Sequence, residues 1–171
     1  MSMRSIGDGR GRERPPEDHC VDLFKQGYNR GTVPAPFEIL EHPADVGFVA
    51  YGQDLEELFE NAALAMLTLA CELDSIEERV SRFVQATGGD TEALLYAWLA
   101  EVLAAADAEQ LVFRRADVTA VGNGRACGTL YGEPYDKTRH QAGTYIKAVT
   151  YHQLRVEQTG EGWRAQVYLD V

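Results

Sequence analysis

Residues 111–131, Leu111-Val-Phe-Arg-Arg-Ala-Asp-Val-Thr-Ala-Val-Gly-Asn-Gly-Arg-Ala-Cys-Gly-Thr-Leu-Tyr131, decide the fold. From Val112 to Val121 and from Arg125 to Tyr131 the side chains follow a period of two, the signature of a strand with one buried face. Gly122-Asn123-Gly124 stands between the two runs. An Asn-Gly pair supplies the two left-handed positions that a tight hairpin turn needs. This stretch therefore predicts a β-hairpin.

Upstream of the hairpin the period changes to that of helices. Leu94, Leu95, Trp98, Leu99, Val102 and Leu103 form a wide apolar stripe behind Asp90, an N-cap residue type. Trp98 reads as core. Leu55, Leu58, Phe59, Ala62, Met66 and Leu69 repeat the pattern behind Asp54, with Glu57 placed to complete a capping box. Glu56, Glu57 and Glu60 favour the positive end of that helix and read as a solvated face. Ile76 to Thr87 reads as a strand between the helices, broken by Gly88-Gly89. Phe37–His42 and Val46–Tyr51 read as the first two strands, preceded by Pro34 and Pro36.

Downstream, Thr150 to Glu157 reads as a strand. Thr159-Gly160-Glu161-Gly162 turns the chain into a last strand, in which Trp163, Ala165, Val167, Leu169 and Val171 alternate with polar residues. The predicted order is β-β-α-β-α-β-β-β-β. That is an α+β domain, a mostly antiparallel sheet with two helices packed on one face.

The chain has 171 residues and is 45% apolar, enough for one domain with a core. Residues 1–34 hold almost no large apolar side chain and read as a disordered extension, leaving residues 35–171 as the domain. There is no apolar run of about 18 residues, which argues against a membrane span. The basic N-terminus lacks the apolar segment of a secretory signal. Cys20, Cys71 and Cys127 are an odd number without a C-x-x-C pair, which excludes a disulfide framework and a zinc motif. Cys71 and Cys127 read as core thiols, and a reducing cytoplasm is expected.

The formal net charge is −11. Residues 1–34 carry six basic and five acidic side chains, a balance of +1. Residues 35–171 carry ten and twenty-two, a balance of −12. Such a domain is repelled by a phosphate backbone, so tight direct nucleic-acid binding is not expected. A basic protein surface suits it better, although acidity also serves solubility.

The unusual chemistry lies in Gly132–Leu154. Glu133, Asp136, Lys137, Arg139, His140, Lys147 and His152 stand there among Tyr131, Tyr135, Tyr145 and Tyr151. Each has a plainer reading. His152 is in phase with Leu154 and Val156 and can be a core imidazole. Lys147 can be a surface charge. Asp136 and Arg139 can pair across a turn. Asp45, in His42-Pro43-Ala44-Asp45-Val46-Gly47, can be a turn aspartate. Their joint occurrence with Asp170 and the carboxylate of Val171 favours a site. Asp45, Asp170 and Val171 together would offer only hard oxygens, a set suited to Ca²⁺ or Mg²⁺ and not to zinc. Three close anions would repel one another without such a cation.

The sequence resembles the archease family. The resemblance rests on His42–Gly47, Tyr51-Gly52, Leu55–Ala63, Gly132-Glu133, Asp136, Arg139-His140, Ile146–His152 and Asp170-Val171. It covers about residues 37–171. Many members have Thr where Pro43 stands here. The resemblance implies an accessory protein and not an independent enzyme. It implies an activator of an RtcB-type RNA ligase, which promotes ligase guanylylation and multiple turnover in tRNA splicing and RNA repair. It implies a metal site of Asp45, Asp170 and Val171, holding Ca²⁺ or another hard divalent cation. It leaves His42, Glu133, Asp136, Arg139, His140, Lys147 and His152 in supporting or partner-contacting roles. Two rivals stand beside this reading. One is a small metal-dependent phosphoester hydrolase using Asp45 and Asp170 with His140 as base. The other is a general chaperone-like binding module.

Overall fold

The first strand, β1 (Phe37–Glu41), pairs antiparallel with β2 (Val46–Gly52). The structure, a computed structural model, describes residues 35–41 and 46–171. The expected extension 1–34 and the candidates His42 and Asp45 lie outside the described residues. Helix α1 (Leu55–Ala70) starts as its caps dictate. Asp54 Oδ1 accepts the Glu57 amide at 2.9 Å, and Glu57 Oε2 accepts the Gln53 amide at 2.6 Å. A short 3₁₀ turn (Leu73–Ser75) leads to β3 (Val80–Thr87). Residues 76–79, expected to open this strand, instead form the link into it. Helix α2 (Thr91–Glu109) follows, with Asp90 Oδ1 accepting the Ala93 amide at 2.7 Å.

The hairpin is present as β4 (Leu111–Gly122) and β5 (Arg125–Pro134). Asn123 and Gly124 both have positive φ, 50° and 71°, as the two-residue turn demands. A second hairpin, β6 (Ala148–Thr159) and β7 (Gly162–Asp170), ends the fold.

The antiparallel α+β architecture stands. The strands, however, divide into two sheets, not one. β1-β2-β7-β6 make a four-stranded sheet, and β3-β5-β4 a three-stranded one. The long connection from Pro134 to Ala148 separates the two hairpins and lets β7 pair with β2. Each helix spans the sheets. α1 packs on β2 and β4, and α2 packs on β3 and β6. Trp98, Phe48, Phe59, Phe113 and Leu130 are buried between these layers. Trp98 is core as expected, and its indole N–H donates to the Phe59 carbonyl at 3.2 Å.

The acidic face of α1 is not simply solvated. Glu60 Oε1 accepts the Val118 amide at 2.7 Å, and Glu56 Oε1 accepts the Val121 amide at 3.1 Å. β4 is an edge strand, so these carboxylates take donors that no neighbouring strand meets. Glu92 of α2 does the same for Val156 of β6, the edge of the other sheet, at 3.3 Å. Cys71 is buried as expected, and burial raises its thiol pKa. Cys127 is only half-buried, on the side of β5 away from the helices.

Candidate functional site

Glu133 is the penultimate residue of β5 and shares a strand face with Tyr131 and Thr129, away from the core. It is nonetheless buried, because charged and polar groups cover it. Arg139 Nη1 donates to Glu133 Oε2 at 2.8 Å, and Nη2 donates to Oε1 at 3.0 Å. The Glu77 amide donates to Oε1 at 2.8 Å. Arg79 stands 3.3 Å from Oε2. These donors stabilise the ionised carboxylate, Arg139 most, and hold its pKa at about 2.

The chain after β5 folds into a knuckle around this carboxylate. Asp136 Oδ1 accepts the Thr138 amide at 2.8 Å and the Thr138 hydroxyl at 2.7 Å. Those bonds lower the Asp136 pKa, the Thr138 amide first. The Asp136 amide donates to His140 Nδ1 at 2.9 Å. Nδ1 is thus the acceptor, and the proton of the neutral ring sits on Nε2, which faces Glu133 Oε1 at 3.1 Å. His140 is buried and both its nitrogens are engaged. In place of the Asp136–Arg139 pair that the spacing allows, Arg139 binds Glu133 while Asp136 serves its own turn.

The connection then lies on the C-terminal end of α1. The Gly143 amide donates to the Ala70 carbonyl at 2.9 Å, and the Thr144 amide to the Leu69 carbonyl at 2.8 Å. These bonds satisfy carbonyls that a helix end leaves free. Cys71 bridges Ala142 in antiparallel fashion. The chain is thereby delivered to Lys147 at the head of β6.

A second group forms there. The Lys147 amide donates to the Asp170 carbonyl at 2.8 Å, and its ammonium donates to the main-chain oxygen of Val171 at 2.8 Å. Ala148 pairs with Asp170, and Val46 pairs with Leu169. The start of β2, the start of β6 and the end of β7 therefore lie side by side. The residue before Val46 in the sequence is Asp45. The donors described at the end of β7 are oxygens, the Asp170 carboxylate and the main chain of Val171. Oxygen is the donor type that a hard cation takes, and the Lys147 ammonium stands on the Val171 oxygen as a positive charge. Among the described residues there is no group of three or more His, Cys, Asp or Glu side chains able to hold a metal.

Glu133, Asp136, Arg139 and His140 thus form one network, and Lys147, Asp170 and Val171 another. Among the described residues no hydrogen bond joins the two. His152 belongs to neither. It is exposed, its Nε2 3.0 Å from Gln153 Nε2, and it is not a core imidazole. The β6–β7 register shifts between Thr150 and Arg155, with Gln153 at φ 52°, and this breaks the phase that linked His152 to Val156. Arg79 and Glu77 escaped the sequence reading. They stand more than 50 positions before Glu133, in a segment that reads as strand, and no local spacing ties them to it.

Residues 37–171 match the Archease protein family (MTH1598/TM1083). An archease of Methanosarcina mazei is 40% identical over 139 residues, covering 79% of this chain and 95% of that protein. One of Sulfolobus acidocaldarius is 35% identical over 136 residues, covering 79% and 98%. The solution structure of Methanobacterium thermoautotrophicum protein 1598 superposes with a TM-score of 0.71 at 37% identity, over 80% of this chain and 99% of that one. The crystal structure of a Thermotoga maritima archease, described as a possible chaperone, has the same fold, with a TM-score of 0.56 at 21% identity over 84% and 100%. With the knuckle and the strand-end cluster built from the residues that carry the resemblance, and the match spanning both sheets and both helices, the chain belongs to the archease family.

Proposed function

We propose that this archease is a cytoplasmic accessory protein of an RtcB-type RNA ligase, promoting ligase guanylylation and multiple turnover in tRNA splicing and RNA repair. The observation that carries the reading is the strand-end cluster. The Lys147 amide donates to the Asp170 carbonyl and its ammonium to the Val171 main-chain oxygen, at the end of β7 where β2 and β6 begin on either side. In this reading Asp45, Asp170 and Val171 hold Ca²⁺ or another hard divalent cation. The bound cation would supply a concentrated positive charge for phosphate oxygens. Asp170 and Val171 orient the site from the end of a paired strand, and Lys147 sets the local charge. The Glu133–Arg139–His140 knuckle fixes the connection that carries Lys147, a supporting role.

The charge balance of −12 over residues 35–171 supports a basic protein partner and disfavours free RNA. The burial of His140 and the engagement of both its nitrogens weigh against a hydrolase with His140 as its base. The test is multiple-turnover joining of 2′,3′-cyclic-phosphate and 5′-hydroxyl RNA ends by a purified RtcB-type ligase, with and without this protein. Stimulation of turnover supports the reading. Phosphoester cleavage by the protein alone, or equal rescue of unrelated enzymes, overturns it in favour of a hydrolase or a general chaperone.

A further inference from the structure

Lys147 is held twice at the end of β7. Its amide is fixed to the Asp170 carbonyl by the first bond before the β6–β7 ladder, so its backbone does not move freely. Its side chain is different. It is exposed, and its ammonium reaches the Val171 main-chain oxygen at 2.8 Å at the end of a flexible four-carbon stem. The first bond is a fixed anchor and the second a contact the stem can release.

An ammonium and a divalent cation compete for the same hard oxygen. A divalent cation on the Val171 oxygen would bring a second positive charge beside the ammonium, and the two would repel. Among the described residues the one hydrogen bond of the Lys147 ammonium is to the main-chain oxygen of Val171. The geometry points to an exchange. The Lys147 ammonium is a resident monovalent cation on the Val171 oxygen, and a divalent cation that takes the Asp170 and Val171 oxygens displaces it and frees it for a partner's anion. This exchange rests on the metal-binding part of the proposed function and adds a switch to it. If Lys147 instead orients Val171 for the metal, removing its charge would weaken binding and not strengthen it.

The experiment titrates Ca²⁺ alone into the full chain by calorimetry, comparing wild type with Lys147→Met, which keeps the stem and removes the charge. Lys147→Met is expected to bind Ca²⁺ up to about fivefold more tightly, the range for an exposed ion pair. Calcium is also expected to raise the rate at which Lys147 of the wild type is acetylated by an amine-selective reagent, read by peptide mass spectrometry against the exposed Lys137 as reference. Melting curves without calcium serve as the control for folding. Equal or weaker calcium binding by Lys147→Met, or acetylation of Lys147 unchanged or slowed by calcium, overturns the exchange while leaving the metal site standing. A wild type that binds no Ca²⁺ at millimolar concentration overturns both.

Discussion

Arg139 grips Glu133 with two near-parallel hydrogen bonds, at 2.8 and 3.0 Å, across six positions of sequence. A bidentate guanidinium–carboxylate pair of this kind is fixed in geometry as well as in charge. Its consequence is a defined acid sensitivity. Glu133 titrates at about 2 in the fold against an ordinary 4.5. A carboxylate with a depressed pKa adds stability that is full above its unfolded value and is lost as pH falls through its folded value. Stability should therefore decline between pH 4.5 and pH 2 more steeply in wild type than in Glu133→Gln. At neutral pH Glu133→Gln should melt several degrees lower, since Arg139 and Arg79 lose the buried carboxylate they share and keep only Glu77. Urea unfolding at a series of pH values checks both. Parallel pH profiles for the two proteins would remove Glu133 from the account.

Glu60 predicts the opposite slope. Burial is the largest influence on it and raises its pKa, partly offset by the Val118 amide. A carboxyl with a raised folded-state pKa contributes stability below its unfolded value and loses it as pH rises through the folded value. Glu60→Gln keeps an acceptor for the Val118 amide but cannot ionise. Its stability relative to wild type should therefore improve as pH rises from 4.5 toward neutrality. Glu60→Ala removes the acceptor and should cost about 1–3 kcal/mol, the range for an unpaired buried donor. Equal unfolding midpoints for Ala and Gln at pH 7 would count against the edge-capping role.

These cases divide what the sequence carries from what it hides. Asp54 with Glu57, Asp90 with Ala93, and Asn123-Gly124 were legible because each acts within four positions of itself. The two-sheet division was not, because strand pairing joins residues far apart in sequence, such as Val46 with Leu169, and is set by burial over the whole domain. The Glu60–Val118 and Glu56–Val121 bonds span 58 and 65 positions, so a helix face that reads as solvated is in fact an edge cap. His152 misled because period-two reasoning assumes an unbroken ladder, and the irregularity at Gln153 breaks it. Within the candidate site, Glu133, Arg139, His140, Lys147 and Asp170 stood out by residue type. Their division into two networks depends on how the connection lies on α1, which no local pattern encodes.

Gly143 tests that connection. A Cβ at this position would stand 2.3 Å from the Leu69 carbonyl oxygen, a backbone atom that cannot step aside. Gly143→Ala should lift the segment from the helix end and weaken the bonds of Gly143 to Ala70 and of Thr144 to Leu69. The expected loss is about 1–3 kcal/mol, as for overpacking in a tight contact. Hydrogen exchange at Thr144 should quicken more than at Val84 or Ala126 in the three-stranded sheet. Unchanged protection of Thr144 would show that the contact does not secure the segment.

The last prediction concerns the strand end as a cation site. If Asp170 and the main-chain carboxylate of Val171 act with Asp45, then Asp45→Ala, Asp170→Ala and a few residues added after Val171 should behave alike. Each removes or neutralises one hard oxygen donor. None should much disturb the core, because Leu169, Val167 and Ala165 remain buried. A ligand that binds only the folded state stabilises it by mass action, by about 2.7 kcal/mol at a hundredfold excess over Kd. Calcium should therefore raise the melting temperature of the wild type and raise that of each variant much less. Each variant should also lose stimulation of multiple-turnover ligation while keeping its calcium-free melting temperature. The added residues are the most demanding case. They leave every side chain in place and convert only the Val171 carboxylate to an amide, so the Lys147 ammonium keeps an oxygen to bond but loses its counter-charge. If the extended protein gains as much from calcium as the wild type, and stimulates ligation equally, the Val171 carboxylate is not a ligand. The site then reduces to the side chains of Asp45 and Asp170.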